Sequence, residues 1–186
     1  MKKLISFVLI VAVVVGVGLF FINRSRVDLF KLKNNNFKNT TMQITSPAFQ
    51  NEGDIPAKYT CKGEGINPPL QFSSVPQGTV SLVLVVDDPD APSGTWTHWT
   101  LWNIDPSVSE IAENSIPKGA VEGTTSAGTK GYHGPCPPSG THRYFFKLYA
   151  LDTKLQLDSN AKVEDLSNTI QDHILAQAEL MERFGN

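Results

Sequence analysis

The longest apolar run of the chain lies at its start. Leu4 to Ile22 is nineteen residues interrupted only by Ser6 and two glycines. As a helix it would span about 28 Å at ~1.5 Å per residue, close to the hydrocarbon thickness of a bilayer. Lys2 and Lys3 precede it and Asn23-Arg24-Ser25-Arg26 follow it. Residues 1–22 are therefore expected to form one transmembrane helix, a single-pass amino-terminal anchor. The competing reading is a cleaved signal segment ending near Gly16-Val17-Gly18, which would leave Leu19-Phe20-Phe21-Ile22 as an apolar new terminus. Arg24, Arg26, Lys31, Lys33 and Lys38 outnumber Lys2 and Lys3, and that count keeps the folded part cytoplasmic. A three-residue tail before an apolar run resembles an export signal instead. The expectation drawn is a membrane protein with an extracytoplasmic domain.

Beyond the anchor, residues 23–40 are rich in Asn and Lys with no sustained period, which reads as a polar tether. A single domain is expected over 41–186. Met42 to Thr45 reads as an opening strand, and 47–76, thick with Gly, Pro and Asn, as mostly loop. Ser81 to Val86 is a continuous apolar, β-branched run suited to a central strand buried on both faces. It ends at Asp87-Asp88-Pro89-Asp90-Ala91-Pro92, where the prolines forbid further pairing. Trp96–Ile104 and His142–Leu151 read as two more strands, the second alternating His142, Tyr144, Phe146, Leu148 against Arg143, Phe145, Lys147, Tyr149. Between them Gly123–Gly140 holds five Gly and three Pro in eighteen residues, and loops that long are more often functional than ordinary connectors. Val163, Leu166, Ile170, Ile174, Ala178 and Met181 recur at helical spacing, predicting an amphipathic helix over 162–184. Strands with one terminal helix give a mainly β, or α+β, domain.

Charge removes one function class. Setting Lys2 and Lys3 aside from the 16 basic residues leaves 14 against 18 acidic, a net charge of −4 beyond the anchor. No basic stripe follows the tether, which argues against nucleic acid. Two cysteines, Cys61 and Cys136, do not make a four-ligand zinc site.

Three separated segments offer polar groups at strand ends. Asp88 and Asp90 stand i, i+2 in the proline turn, His98 lies early in the Trp-rich strand, and His142 and Tyr144 share one face of an extended chain. Imidazole N–H, phenol O–H and loop N–H groups suit phosphate oxygens, and carboxylates fix imidazole tautomers or pair with an ammonium. Trp96, Trp99, Trp102 and Phe146 are candidates for an apolar wall. Each residue also has a plainer explanation. Aspartates in such turns often bond their own backbone, a histidine between tryptophans is commonly half-buried and satisfied, and Trp99 and Phe146 suit a core.

The runs Asp87-Asp88-Pro89-Asp90-Ala91-Pro92, Trp96-Thr97-His98-Trp99, Gly134-Pro135-Cys136-Pro137-Pro138 and His142-Arg143-Tyr144 resemble, in order and spacing, the phosphatidylethanolamine-binding protein (Raf kinase inhibitor-like) family. The stretches Tyr59 to Leu70 and His173 to Leu180 look like its bacterial and archaeal branch. The similarity covers about Met42 to Gly185. It implies a central antiparallel β-sheet flanked by a smaller sheet and a C-terminal helix, with a small anion pocket at one end. By the family's pattern that pocket comprises Asp88, Asp90, His98, Pro138, His142 and Tyr144, and takes phosphate or phosphorylethanolamine-like groups. Both cysteines lie in segments resembling pocket-bordering loops, so a disulfide between them is one expectation for an exported domain. Two reduced buried thiols are the other.

Three functions remain in view: a module binding a phosphate-bearing ligand or headgroup and regulating a protein partner, a protease-inhibitor-type interaction protein, and a hydrolase. Asp88, Asp90, His98 and His142 could also offer ligands to a divalent metal. No Gly-x-Ser-x-Gly elbow, His-Glu-x-x-His motif or other dense metal spacing appears. The expectation is a binding protein without a cofactor.

Overall fold

The computed structural model describes residues 42–185. Nine strands and one α-helix follow in the order β1 (Gln43–Thr45), β2 (Gly53–Asp54), a 3-10 turn (Ala57–Tyr59), β3 (Leu70–Ser73), β4 (Ser81–Asp88), β5 (Trp96–Ile104), β6 (Glu110–Ile111), β7 (Val121–Glu122), β8 (Thr141–Leu151), α1 (Val163–Ile170) and β9 (Ile174–Gly185). They form a six-stranded sheet, β2-β9-β8-β4-β5-β7, and a three-stranded sheet, β1-β3-β6. All neighbours are antiparallel except β2 and β9.

β4 is central because its sequence suits no other place. Every one of its eight residues is buried, as expected of a β-branched run paired on both sides. Leu82, Leu84, Val86, Phe146, Leu148, Ala176 and Leu180 of the large sheet join Ile44, Leu70, Phe72 and Ile111 of the small one in a single apolar core. Packing two apolar sheet faces together removes this surface from water and is the main source of stability.

The carboxyl-terminal helix expected over 162–184 is a correction. α1 ends at Ile170, and 174–185 is instead a twelve-residue strand. β9 pairs with β8 from Leu151↔Ile174 to Thr141↔Gly185. Ile174 and Ala178 are four apart, a spacing that fits both a helical stripe and alternate positions of a strand. Ala176, Ala178, Leu180 and Phe184 also stand at strand period, and the long ladder offered by β8 decides between the two. Lys162, at the helix N-cap, is served by the Asp165 carboxylate, which accepts from its backbone N–H at 3.0 Å.

The expected membrane helix is also corrected. Residues 1–22 lie outside the described residues, and among the described residues no helix is long and apolar enough to cross a membrane. α1, with eight residues, spans about 12 Å against roughly 30 Å of hydrocarbon. The anchored, single-pass placement has no support in this fold.

The strand assignment makes a direct prediction. Leu180 is 2% exposed, whereas Met181, its neighbour on β9, is only half-buried. Leu180→Ala should lower unfolding free energy by about 3 kcal/mol and Met181→Ala by roughly 1 or less in urea denaturation. Equal losses would contradict the alternation.

Candidate functional site

Pairing register brings the distant polar residues together. β8 lies beside β4 with Val86↔Phe146 and Asp87↔Phe145 in register, so the start of β8 runs past the end of β4. There the His142 Nδ1–H donates to Asp88 Oδ2 at 2.7 Å. Both side chains are nearly sealed from solvent. A carboxylate only accepts, so this bond puts the ring proton on Nδ1 and leaves Nε2 as the second ring atom. Asp88 Oδ1 also accepts from the Asp90 N–H at 2.8 Å, closing the proline turn.

His98 arrives from the other side of β4 by way of a bulge. Val86 pairs with Trp99 and Asp87 with Thr97, which leaves His98 as the extra residue. Bulges re-aim side chains, and here the imidazole meets the Tyr144 ring edge-on at 5.2 Å. His98 Nδ1–H donates to the His133 carbonyl at 2.7 Å, and the His133 N–H donates back to the His98 carbonyl at 2.9 Å. Its pKa lies below the ordinary histidine value because burial penalises the cation, more than the His133 carbonyl and Asp88 favour it.

Tyr144 stands between the two imidazoles. Its ring is stacked at 6.4 Å on His142, it is fully buried, and its hydroxyl has no hydrogen-bond partner among the described residues. Burial, and then the charge of Asp88, pushes its pKa well above the usual phenol value. The hydroxyl therefore keeps its proton and remains a donor.

Two other expected site residues stand further out. The Asp90 carboxylate is clamped by Arg143, with Oδ1 accepting from Nη2 at 2.6 Å and Oδ2 from Nε at 2.8 Å. This guanidinium holds the acid below the usual carboxylate range, and Asp90 braces the turn. Pro138 is exposed on the loop before β8, next to buried Pro137. Trp99 and Phe146 are core, and Trp102 is buried too, while Trp96 is 36% exposed. Among the described residues no group of three His, Cys, Asp or Glu side chains is arranged to hold a metal ion. Asp87 points to the other face of β4, where it accepts from Lys147 at 2.6 Å.

The loop over 123–140 is fastened rather than free. Cys61 and Cys136 form a disulfide with their Cα atoms 5.4 Å apart, and the Cys61 N–H donates to the Pro135 carbonyl at 3.1 Å. Gly134 passes so close to the 3-10 turn that a Cβ would sit 2.9 Å from the Tyr59 carbonyl oxygen. Tyr132 donates its hydroxyl to that same oxygen at 3.2 Å. Sequence reasoning missed His133 and Tyr132, which carry no motif. It also missed Glu182, which a helical reading of 162–184 hid. Strand alternation would have put that acid among Ala176, Ala178 and Leu180.

A β-sheet pair presenting two imidazoles, a phenol and a carboxylate at one strand end defines a small β-rich ligand-binding module. A family profile described as phosphatidylethanolamine-binding protein matches residues 45–185. A UPF0098 protein of the archaeon Methanothermobacter thermautotrophicus is 49% identical over 145 residues, covering 75% of this chain and 96% of its own. The solved structure of a phosphatidylethanolamine-binding protein homolog from Chlamydia trachomatis superposes with a TM-score of 0.76 at 45% identity, over 79% of this chain and 99% of that one. Escherichia coli YbcL, described as a new member of the mammalian family, gives 0.74 at 32% identity, over 78% and 98%. The chain belongs to the phosphatidylethanolamine-binding protein family. Its relatives include archaeal and bacterial members, as the motifs implied.

The disulfide closes a loop with a sequence separation of 75, so it should stabilise the domain by about 2–4 kcal/mol. Unreduced, denatured protein should show no reactive thiol. Replacing both cysteines by serine should lower the urea midpoint without changing the fold. Two titratable thiols in unreduced protein would contradict the bridge.

Proposed function

We propose that this domain binds the phosphate of a small phosphate-bearing ligand or headgroup, phosphorylethanolamine-like in size, where the rings of His98, His142 and Tyr144 converge. One observation carries the reading: two nearly buried imidazoles flank one buried phenol, and each has its Nδ1 proton committed to a protein oxygen. Their Nε2 atoms and the Tyr144 hydroxyl are then the groups left to meet a ligand. A phosphate supplies several strong acceptor oxygens and, in its protonated forms, a donor for a neutral Nε2. Asp88 is the positioning residue, because its bond to His142 sets the tautomer. Asp90 and Arg143 hold the turn that presents Asp88.

Binding rather than catalysis is the reading favoured. Both cysteines are bonded to each other, so no thiolate is offered beside the histidines, and Tyr144 is held protonated.

Calorimetric titration of residues 41–186 with inorganic phosphate and with phosphorylethanolamine should show saturable 1:1 binding. His98→Ala and His142→Ala should each weaken it by about tenfold to a hundredfold, as expected for loss of a charge-assisted bond. Binding absent from the wild type, or unchanged in both variants, would overturn the assignment.

The pH dependence has a defined sign. Protonating His98 adds an Nε2–H donor and a positive charge, so affinity at fixed phosphate charge should rise as pH falls. Because the folded His98 value lies below its unfolded value near 6.5, the unfolded chain binds this proton more readily. The His98 contribution to stability should therefore be lost as pH falls below about 6.5. Phosphate should offset part of that loss in thermal melts, and a ligand with no effect on acid stability would count against the linkage.

A further inference from the structure

The long loop is fastened to the body of the domain on either side of the carbonyl that holds His98. On its amino side, the Ser126 N–H donates to the Thr97 carbonyl at 3.0 Å, and the Ser126 hydroxyl accepts from the Thr97 N–H at 2.9 Å. On its carboxyl side the covalent tie is the Cys61–Cys136 disulfide. His133 stands between the two ties, three residues before Cys136. Three residues reach about 10 Å at full extension, so the disulfide confines the His133 carbonyl to the neighbourhood of the β5 bulge. The loop also bonds to itself. The Thr125 N–H and hydroxyl both donate to the Thr129 carbonyl, and the Thr129 hydroxyl meets His133 Nε2 at 3.2 Å. Such bonds shape the loop without attaching it to the sheet.

The two imidazoles differ in what holds them. His142 is fixed by Asp88, and both belong to strands, β8 and β4, that pair in the central sheet. His98 is fixed by a loop carbonyl, and that carbonyl is placed by the strap. His98 is 6% exposed, so withdrawing the carbonyl would leave a buried Nδ1–H unpaired. The ring would then turn, or exchange tautomer, to recover a partner. Cys61 and Cys136 are both exposed, within reach of a thiol reductant in solution. A chemical change at the surface is therefore linked through a short piece of chain to one buried ring of the candidate site.

We propose that the Cys61–Cys136 disulfide is a redox-sensitive control on the site, positioning His98 through the His133 carbonyl and leaving His142 untouched. A dithiol reductant attacks one exposed sulfur as its thiolate, and the S–S bond breaks to give a mixed disulfide. The second thiol of the reductant displaces the protein sulfur, and the reductant leaves oxidised, as a cyclic disulfide. Cys61 and Cys136 each gain one electron and one proton and become thiols. This end of the strap then keeps only hydrogen bonds, from the Cys61 N–H to Pro135 and from the Tyr132 hydroxyl to Tyr59. The His133 carbonyl drifts from His98 and anion affinity falls. By linkage, a bound anion makes the disulfide harder to reduce by the same factor. The inference rests on the phosphate-pocket reading and adds to it a control by thiol redox state.

The test compares the full chain as oxidised protein and after reduction with dithiothreitol. Inorganic phosphate affinity is measured by calorimetry, and the ring nitrogens of both histidines by two-dimensional NMR without ligand. Reduction should weaken phosphate binding by about fivefold to a hundredfold, the usual range of coupling between separate sites. It should shift the His98 ring nitrogens while those of His142 stay where they were, a difference that a general loosening would not produce. The double variant Cys61→Ser, Cys136→Ser should behave as the reduced chain does and ignore dithiothreitol. An unmoved His98 signal, or unchanged affinity in a protein that binds phosphate, overturns the proposal. So does equal movement of both rings, or loss of near-ultraviolet circular dichroism on reduction, since either means that the whole fold has responded. If the oxidised protein binds no phosphate, the pocket reading fails, and the His98 signal alone still decides whether disulfide and imidazole are coupled.

Discussion

The register of β8 between β4 and β9 is the constraint on which the site rests. With Val86 opposite Phe146 and Tyr144 opposite Glu182, the residues His142, Tyr144, Phe146 and Leu148 all face the core side. A slip of one residue would turn every one of them to the outer face, exposing four side chains that the core needs and separating His142 from Asp88. The apolar part of the same face makes the slip unfavourable, since Phe146 and Leu148 are fully buried. Core packing and site geometry are therefore set by one pairing.

Around that pairing the polar groups are held by bonds that leave them little freedom. Asp88 fixes His142, the His133 carbonyl fixes His98, and Arg143 clamps the turn through Asp90. The disulfide and the close passage of Gly134 tie the long loop to the 3-10 turn. A site built this way loses little conformational entropy when it binds, because its donors are already placed. Tyr144 and Glu182 are among the buried polar groups that have no hydrogen-bond partner within the described residues.

Much of this was legible along the chain, and the remainder was hidden for physical reasons. The β4 run, the Trp-rich strand and the alternation of β8 were readable because local pattern and tertiary burial agree there. The pair of His142 and Tyr144 followed from strand period alone. β9 was misread because its apolar positions satisfy the helical and the extended period together, and only the ladder with β8 distinguishes them. The bulge that aims His98 arises from a mismatch between two strands, which no single segment records. Asp90 looked equivalent to Asp88 in the turn, yet Arg143, adjacent to His142 in the chain, captures it from the outer face. The amino-terminal apolar run was read as a membrane helix from its length. Among the described residues no such helix occurs.

The central claim is that two imidazoles from different strands meet one ligand. The most direct measurement follows the side-chain nitrogens of His98 and His142 by two-dimensional NMR while phosphate is added. The account predicts that both Nε2 resonances move along one saturation curve with a common dissociation constant. Movement of only one ring, or two curves with separate midpoints, would contradict a shared pocket.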